Sequence, residues 1–333
     1  LKSERSNYNV AVQRTNDEEL LLNLVRLKYR DTPFFMEVSS MASQFILSTK
    51  ANASASLQNG VKGLFGLGGS LGVTEKPTVT YSPLQGDRFI QRVLSPLPLD
   101  TITLLFNSGW NIERIFRLCF QRMNNLKNAP GASGPTPSRS PYFIEFISAV
   151  KYLRLLQIED AINLSYQEEN GVPQLILNIN DADKNRAEAR QFALAANVEP
   201  GKTRYVLAFS ADSNKTNHIR VVTRSLLGIM FYISQAVEVP SKDISKGKVT
   251  QTQTRDGKIF DWDKVMGDLL KIRSASEKPQ EYPMTIFYRG SWFYINDSDL
   301  SSKSTFSLLS QIFSLQAGKI KDNAPLLTLP IGQ

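Results

Sequence analysis

The hydrophobic and polar positions of residues 45–82 alternate with a period of two over an unusual length. Between positions 47 and 61 the odd-numbered residues are mostly apolar or small, and the even-numbered residues between them are polar. After a glycine-rich segment at 60–69 the alternation resumes and continues to position 81. Strict alternation is typical of a strand with one apolar and one polar face. We therefore predict one long β-hairpin over 45–82, with arms of about 15 residues each.

This predicted hairpin is the main candidate for function, because ordinary strands have only about 5–6 residues. One interpretation is that the hairpin adds strands to a sheet of a neighbouring subunit. Another is that several subunits each contribute one hairpin to a shared β-barrel, since a single hairpin cannot satisfy its edges in lipid. A purely intramolecular hairpin is a third. The positions assigned to oligomerisation or membrane contact are Leu47, Ala51, Ala53, Ala55, Leu57, Leu64, Phe65, Leu67, Leu71, Val73, Val79 and Tyr81.

The rest of the chain mixes helical and strand patterns, which predicts an α+β fold. We expect a helical N-terminal domain at 1–127 that carries the projecting hairpin, and an α+β domain of helices and antiparallel hairpins at 142–333. The segment 128–141 contains four prolines and two glycines, and we predict a linker there. The predicted helices are 16–29, 86–94, 99–107, 111–127, 142–157, 183–197, 222–237, 262–273 and 302–317. The predicted strands are 162–168, 174–180, 204–210, 284–288 and 292–295, with a further docked segment at 326–331.

Composition changes this interpretation little. The net charge is +8, from 39 basic and 31 acidic residues. The cations are dispersed, without a basic run or a nucleic-acid-binding motif, so a solvated basic surface is favoured and a nucleic acid is not expected as the partner. The chain has one cysteine and one histidine. That count excludes an internal disulfide framework and a metal site built from cysteine and histidine.

Tests for catalytic chemistry find no candidate. The glycines at 66–72 are followed by β-branched residues and a proline, whereas a dinucleotide fingerprint needs a helix there. Cys119 lies on the apolar stripe of a predicted helix, and His218 lies in a polar loop. A single histidine also leaves little room for a Ser-His-Asp triad. We therefore predict no catalytic residues, no cofactor, no metal and no enzymatic activity.

A second candidate site is the aromatic hairpin, residues 284–295, which is dense in tyrosine, tryptophan and phenylalanine. Such rings stack on bases or sugars, and they also suit a strand that only packs on a helix. If the hairpin binds a base or a sugar, the binding residues are Tyr288, Arg289, Trp292 and Tyr294.

Four segments together suggest a family. They are LLLNLVRLKYRDTP at 20–33, PTVTYSPLQG at 77–86, RSLLG at 224–228 and YRGSWFYI at 288–295. The chain resembles, over its whole length, a family of proteobacterial cell-envelope lipoproteins for which no activity is known. The resemblance implies export to the periplasm or outer membrane of a Gram-negative bacterium, and a lipid-bearing cysteine ahead of Leu1.

We accordingly expect a non-enzymatic structural subunit of an oligomeric envelope assembly. Its expected partners are further copies of the same chain, other envelope proteins and the outer membrane. The alternative function is a soluble periplasmic protein that binds a glycan or a nucleic acid through the aromatic hairpin.

Overall fold

The structure, a computed structural model, describes residues 2–52, 68–83, 87–210, 215–280 and 284–318, and for 2–9, 11, 37–52, 68–83, 88 and 318 it describes the backbone alone. It confirms a mixed α+β fold. The helices of the described residues are α1 (Lys2–Lys28), α2 (Asp87–Leu94), α3 (Leu99–Asn107), α4 (Ile112–Cys119), α5 (Ile144–Ile158), α6 (Ala187–Ala195), α7 (Leu226–Ile233), α8 (Ser241–Ser245), α9 (Asp263–Met266) and α10 (Leu300–Gly318). The strands are β1 (Met36–Asn52), β2 (Gly68–Pro83), β3 (Phe120–Met123), β4 (Leu126–Lys127), β5 (Ile162–Glu169), β6 (Val172–Ile179), β7 (Arg204–Ala208), β8 (His218–Thr223), β9 (Arg273–Ala275), β10 (Thr285–Tyr288) and β11 (Ser291–Tyr294).

The chain divides into two compact units. One comprises Leu1–Pro33 and Gln85–Gln333, and the other is Phe34–Leu84. The smaller unit contains β1 and β2, which pair with each other in an antiparallel two-stranded sheet. We call this pair of strands the ribbon.

A six-stranded sheet forms the centre of the larger unit, in the order β4-β3-β8-β7-β6-β5. Helices α3 and α5 pack against this sheet. Strand β6 lies next to the edge strand β5, and its successive residues Leu175, Ile176 and Leu177 are all buried. Burial of consecutive side chains means that both faces of this strand are covered. A three-stranded sheet, in the order β10-β11-β9, lies in the same unit.

Two predicted hairpins are confirmed where a turn residue sets the connection. Strands β5 and β6 join through Asn170 and Gly171, with φ of 53° and 74°. Strands β10 and β11 join through Arg289 and Gly290, with φ of 48° and 78°. Two successive positive φ values are typical of the tight turns that match the twist of a β-hairpin.

The linker predicted at 128–141 is corrected by the structure. Strands β3 and β4 precede this segment in the chain, yet β3 pairs with β8 from the second half. The segment itself contains a 3₁₀ turn at Pro130–Ser133, and Asn128, Ala129 and Ala132 are fully buried. Because one sheet joins both halves, no domain boundary falls here; the prolines and glycines form a compact buried turn.

Four predicted helices are also shorter than expected, and one of them, predicted over 183–197, is confined to α6. The helix predicted over 111–127 ends at Cys119, and β3 and β4 follow it around Asn124, whose φ is 48°. The helix predicted over 222–237 is replaced by the end of β8 and by α7, which Ser225 caps by accepting a hydrogen bond from the Gly228 amide. The helix predicted over 262–273 is confined to α9, and β9 begins at its expected end. The docked segment predicted at 326–331 lies outside the described residues.

Arg224 explains why α4 ends at Cys119. The side chain is fully buried, and its Nη1 donates to the carbonyl oxygens of Arg117 at 2.9 Å and Phe120 at 2.7 Å. These oxygens lie at the C-terminal end of α4, where unpaired carbonyls carry partial negative charge. The guanidinium therefore replaces the missing helical donors, and its own charge is offset by the helix end.

The same guanidinium ties three further segments to α4. It donates to the carbonyl oxygen of Asn128 and, through Nε, to the Ser133 hydroxyl at 3.0 Å. Its plane stacks on the Tyr232 ring of α7, 3.8 Å from the ring centroid. Burial lowers the pKa of Arg224 to about 10, so the side chain stays charged at neutral pH. One cation thus joins α4, the buried turn, β8 and α7.

Replacement of Arg224 by Met should lower the free energy of unfolding by about 3–5 kcal/mol, because several buried carbonyls lose their only charged donor. Arg224→Lys should also destabilise, since one ammonium cannot reach carbonyls on all these segments. Urea denaturation followed by circular dichroism measures both effects. The matched control is Arg220→Met, at an exposed position on β8, the strand that ends just before Arg224, which should change the unfolding free energy by about 0.5 kcal/mol or less. Equal changes in the unfolding free energy for Arg220→Met and Arg224→Met would contradict this structural role of Arg224.

Candidate functional site

The ribbon places one pair of the predicted apolar positions directly opposite each other. Its register pairs Leu47 with Val73 and Thr49 with Leu71, and it continues from Met36 opposite Pro83 to Asn52 opposite Gly68. The strands have 17 and 16 residues, about three times the usual length. Ala51 lies opposite Gly69, Val79 opposite Met41 and Tyr81 opposite Val38. The remaining predicted positions, Ala53, Ala55, Leu57, Leu64, Phe65 and Leu67, lie outside the described residues.

The ribbon has two free edges within the described part of the chain, where neither strand pairs with a third. Every second residue of an antiparallel edge strand directs its backbone N–H and C=O away from the partner. Such an edge is a template for another strand.

The aromatic hairpin does not bring its four predicted residues to one face. Trp292 and Tyr294 alternate with the buried Phe293 along β11, so they share the other, partly exposed face. Phe287 lies opposite Trp292, and the two rings are 5.0 Å apart. The ammonium of Lys278 lies 5.4 Å from the centroid of the Trp292 ring. We call Phe287, Trp292, Tyr294 and Lys278 the aromatic face.

Tyr288 and Arg289 instead attach the hairpin to the end of α1. Both oxygens of Asp31 accept hydrogen bonds from Arg289, at 2.8–3.1 Å. The Tyr288 hydroxyl donates to the same carboxylate at 2.5 Å. The Tyr29 ring packs edge-on against Tyr288, with centroids 6.0 Å apart. These two predicted binding residues therefore have a structural use, which the sequence did not indicate because Asp31 is distant in the chain.

A pocket with a volume of about 530 Å³ lies beside the end of α1. Lys28 lines it and is only 7% exposed. Its ammonium donates to Oε1 of Gln235 at 3.0 Å, and no carboxylate among the described residues pairs with it. The Gln235 amide is held by its own donation to the Thr136 hydroxyl at 3.2 Å. Burial lowers the pKa of Lys28 to about 8.

Tyr29, which follows Lys28 in the chain, contacts an acidic side chain that is already paired. Asp243 is buried, and its carboxylate accepts from the Tyr29 hydroxyl at 2.7 Å and from the Lys248 ammonium at 2.7 Å. These bonds hold the pKa of Asp243 below its usual range, although its burial opposes them, and the pKa of Tyr29 is raised by burial and by this carboxylate. Lys28 thus remains a buried cation with one neutral partner, which is the pattern of a functional group.

Sequence reasoning missed Lys28, although a signal was present. The stripe predicted for α1 includes Leu21, Leu24 and Val25. Lys28 continues it at a spacing of i+7 from Leu21, which places the lysine on the buried face of the helix. A lysine at that spacing, at the end of an apolar stripe, indicates a buried amine.

The residues considered for catalysis have no catalytic arrangement. Cys119 is fully buried, and burial raises the pKa of its thiol to about 12, so no thiolate forms at neutral pH. His218 lies at the start of β8. No group of three or more histidine, cysteine or acidic side chains suited to a metal ion occurs in the part of the chain that the structure describes. Among those same residues, no helix has the length and apolar character needed to cross a membrane.

Comparisons of the chain with protein-family models, with curated proteins and with solved structures found no match.

The Lys28→Met variant tests the buried charge through pH. An unfolded lysine has a pKa of about 10.4, above the folded value of about 8. Below pH 8 both states hold the proton and the burial penalty is complete. Between pH 8 and 10 the folded state releases the proton first, so stability rises with pH.

The unfolding free energy of the native chain, relative to Lys28→Met, should therefore increase by about 2 kcal/mol between pH 7 and 10. Urea denaturation at several pH values measures this difference. The control is Lys271→Met, which removes a half-exposed lysine of the same pocket and should give a nearly constant difference. A constant difference for Lys28→Met would show that its charge is not buried.

Proposed function

We propose that the protein is a non-enzymatic structural subunit of an oligomeric bacterial cell-envelope assembly, in which the ribbon pairs with strands of neighbouring copies. The observation that carries this proposal is a two-stranded sheet of 17- and 16-residue strands, separate from the sheets of the larger unit. The envelope location rests on the sequence resemblance alone.

The marginal stability of a two-stranded sheet and the open edges of the ribbon favour strand pairing between copies. An isolated two-stranded sheet is marginal in water, and a third strand or a covered face is needed for stability. The register aligns apolar positions, such as Leu47 with Val73, so neighbouring ribbons would share both backbone hydrogen bonds and an apolar surface. Long unprotected edges are otherwise a liability that proteins avoid, which favours an edge that is covered in the assembly.

The double variant Leu47→Glu/Leu71→Glu should dissociate the assembly, because it places charges among the apolar positions of both strands. Its matched control is Ser48→Glu/Ser70→Glu, which adds the same charges at the adjacent positions of the opposite parity. Light scattering at micromolar concentration should give a mass of several times 37.3 kDa for the native chain and the control. The first variant should need at least tenfold more protein to assemble.

A native chain that is monomeric at micromolar concentration, with and without detergent, would overturn the proposal. So would an unchanged mass for the Leu47→Glu/Leu71→Glu variant.

A second function, binding of a glycan or a single-stranded nucleic acid, is favoured by the aromatic face. Phe287 is 57% exposed, and its pairing with Trp292 beside Lys278 combines a flat aromatic surface with a cation. Stacking of a base or sugar on such a surface contributes about 1–3 kcal/mol per ring.

Trp292→Ala should weaken binding of oligosaccharides or of a 15-nucleotide oligo-dT by about tenfold, as measured by fluorescence anisotropy of labelled ligands. Tyr166→Ala removes a partly exposed aromatic ring from the six-stranded sheet and serves as the control, with no expected change. Equal affinities of the native chain and Trp292→Ala for every ligand of the panel would exclude this function.

A further inference from the structure

The pocket beside α1 is the second feature that suggests a function, and it is independent of the ribbon. We propose that this pocket binds an organic anion, a carboxylate with an apolar chain, whose charged group pairs with the ammonium of Lys28. The proposal concerns a site of the larger unit and does not rest on assembly of the subunits.

The charge of the ligand follows from the environment of Lys28. The ammonium has three N–H donors, and one of them is used by the Gln235 amide oxygen. A buried ammonium without an anionic partner loses hydration that a neutral amide does not replace. A carboxylate in the pocket would supply both the charge and further acceptors, and hydrogen bonds between charged groups are about twice as strong as neutral ones.

The body of the ligand follows from the walls of the pocket. Apolar side chains form about half of the lining, among them Val237, Ile244, Val249, Phe260, Trp262 and Ile272. Two of the walls are held in place: the rings of Phe260 and Trp262 pack edge-on at 5.2 Å, and the Trp262 Nε1 donates to the Thr252 hydroxyl at 3.0 Å. A volume of about 530 Å³ is within the usual range for small-molecule sites.

The carboxylates that line the pocket do not serve as the anionic partner of Lys28. Three carboxylates line it, those of Glu238, Asp261 and Asp263, and all three residues are exposed. Asp263 pairs with Lys271 at 3.1 Å. Lys28 is therefore the buried cation of a lining whose acidic residues are exposed, so the anionic group of a ligand would pair with Lys28.

Isothermal titration calorimetry with decanoate tests this site on the full chain. At pH 7 decanoate should bind, and decanol, which has the same chain without the charge, should bind at least tenfold more weakly. Lys28→Met should reduce decanoate affinity at least tenfold. Lys271→Met, which removes a cation of the same pocket that is already paired, should leave the affinity within about twofold.

The pH dependence of the native chain gives a second test that needs no variant. Because the pKa of Lys28 is about 8, its protonated fraction falls about tenfold between pH 7 and 9, and decanoate affinity should fall with it. Ordinary carboxyl groups titrate near pH 4 and ordinary lysines near 10.4, outside this interval. The charged or titratable groups around Lys28 are Glu238, Asp261, Asp263, Lys271 and Arg273 in the pocket and Tyr29, Asp243 and Lys248 beside it.

Decanoate that binds equally well to the native chain and to Lys28→Met would overturn the proposal. Equal affinities for decanoate and decanol, or an affinity that is constant from pH 7 to 9, would also overturn it. Failure of these tests leaves the assembly proposal untouched, because light scattering measures the ribbon and calorimetry measures the pocket.

Discussion

The larger unit depends on one buried cation, the guanidinium of Arg224. Its charge is offset by backbone carbonyl oxygens and not by a carboxylate. Arg224 donates to carbonyls at the end of α4 and in the buried turn at 128–133, and its plane covers the Tyr232 ring. Asn128 completes the arrangement, since its amide donates to the Arg117 and Phe120 carbonyls at 2.8 Å and its oxygen accepts from the Tyr232 hydroxyl. The partial negative charge of a helix end falls off within a turn, so α4 must end where the guanidinium lies. This constraint brings β3 beside β8 and joins both halves of the chain in one sheet.

Lys28 is the opposite case, and the contrast separates a structural cation from a candidate binding group. Both side chains are buried, and burial lowers both pKa values. The guanidinium is surrounded by carbonyl oxygens and stacked on a ring. The ammonium has one amide partner and lines a pocket. Desolvation of Lys28 is thus left uncompensated by a carboxylate of the described residues. A buried titratable group that lines a pocket is a candidate for a binding role.

Sequence patterns predicted the local structure well where one residue determines it, as at the turns Asn170-Gly171 and Arg289-Gly290. They failed where distant contacts decide. The apolar spacing of 111–127 is helical, yet Arg224 ends the helix at Cys119, and only the turn residue Asn124 hinted at a hairpin. The prolines of 128–141 suggested a linker, because nothing local reveals that Asn128 is buried under Arg224.

Alternation along β11 was enough to place Trp292 and Tyr294 on one face, but the use of Tyr288 and Arg289 depends on Asp31, about 257 residues away in the chain. Lys28 could have been found from its position on the apolar stripe.

In the proposed assembly the ribbon is the part that pairs between copies, since its register aligns apolar positions and its edges are open within the described residues. Residue-resolved hydrogen exchange of the backbone amides of β1 and β2, in the native particle, tests the central claim most directly. In a lone ribbon every second amide points away from the partner strand and exchanges freely. If ribbons of neighbouring copies pair, amides of consecutive residues will be protected on both strands. Protection at alternate residues only would contradict the account.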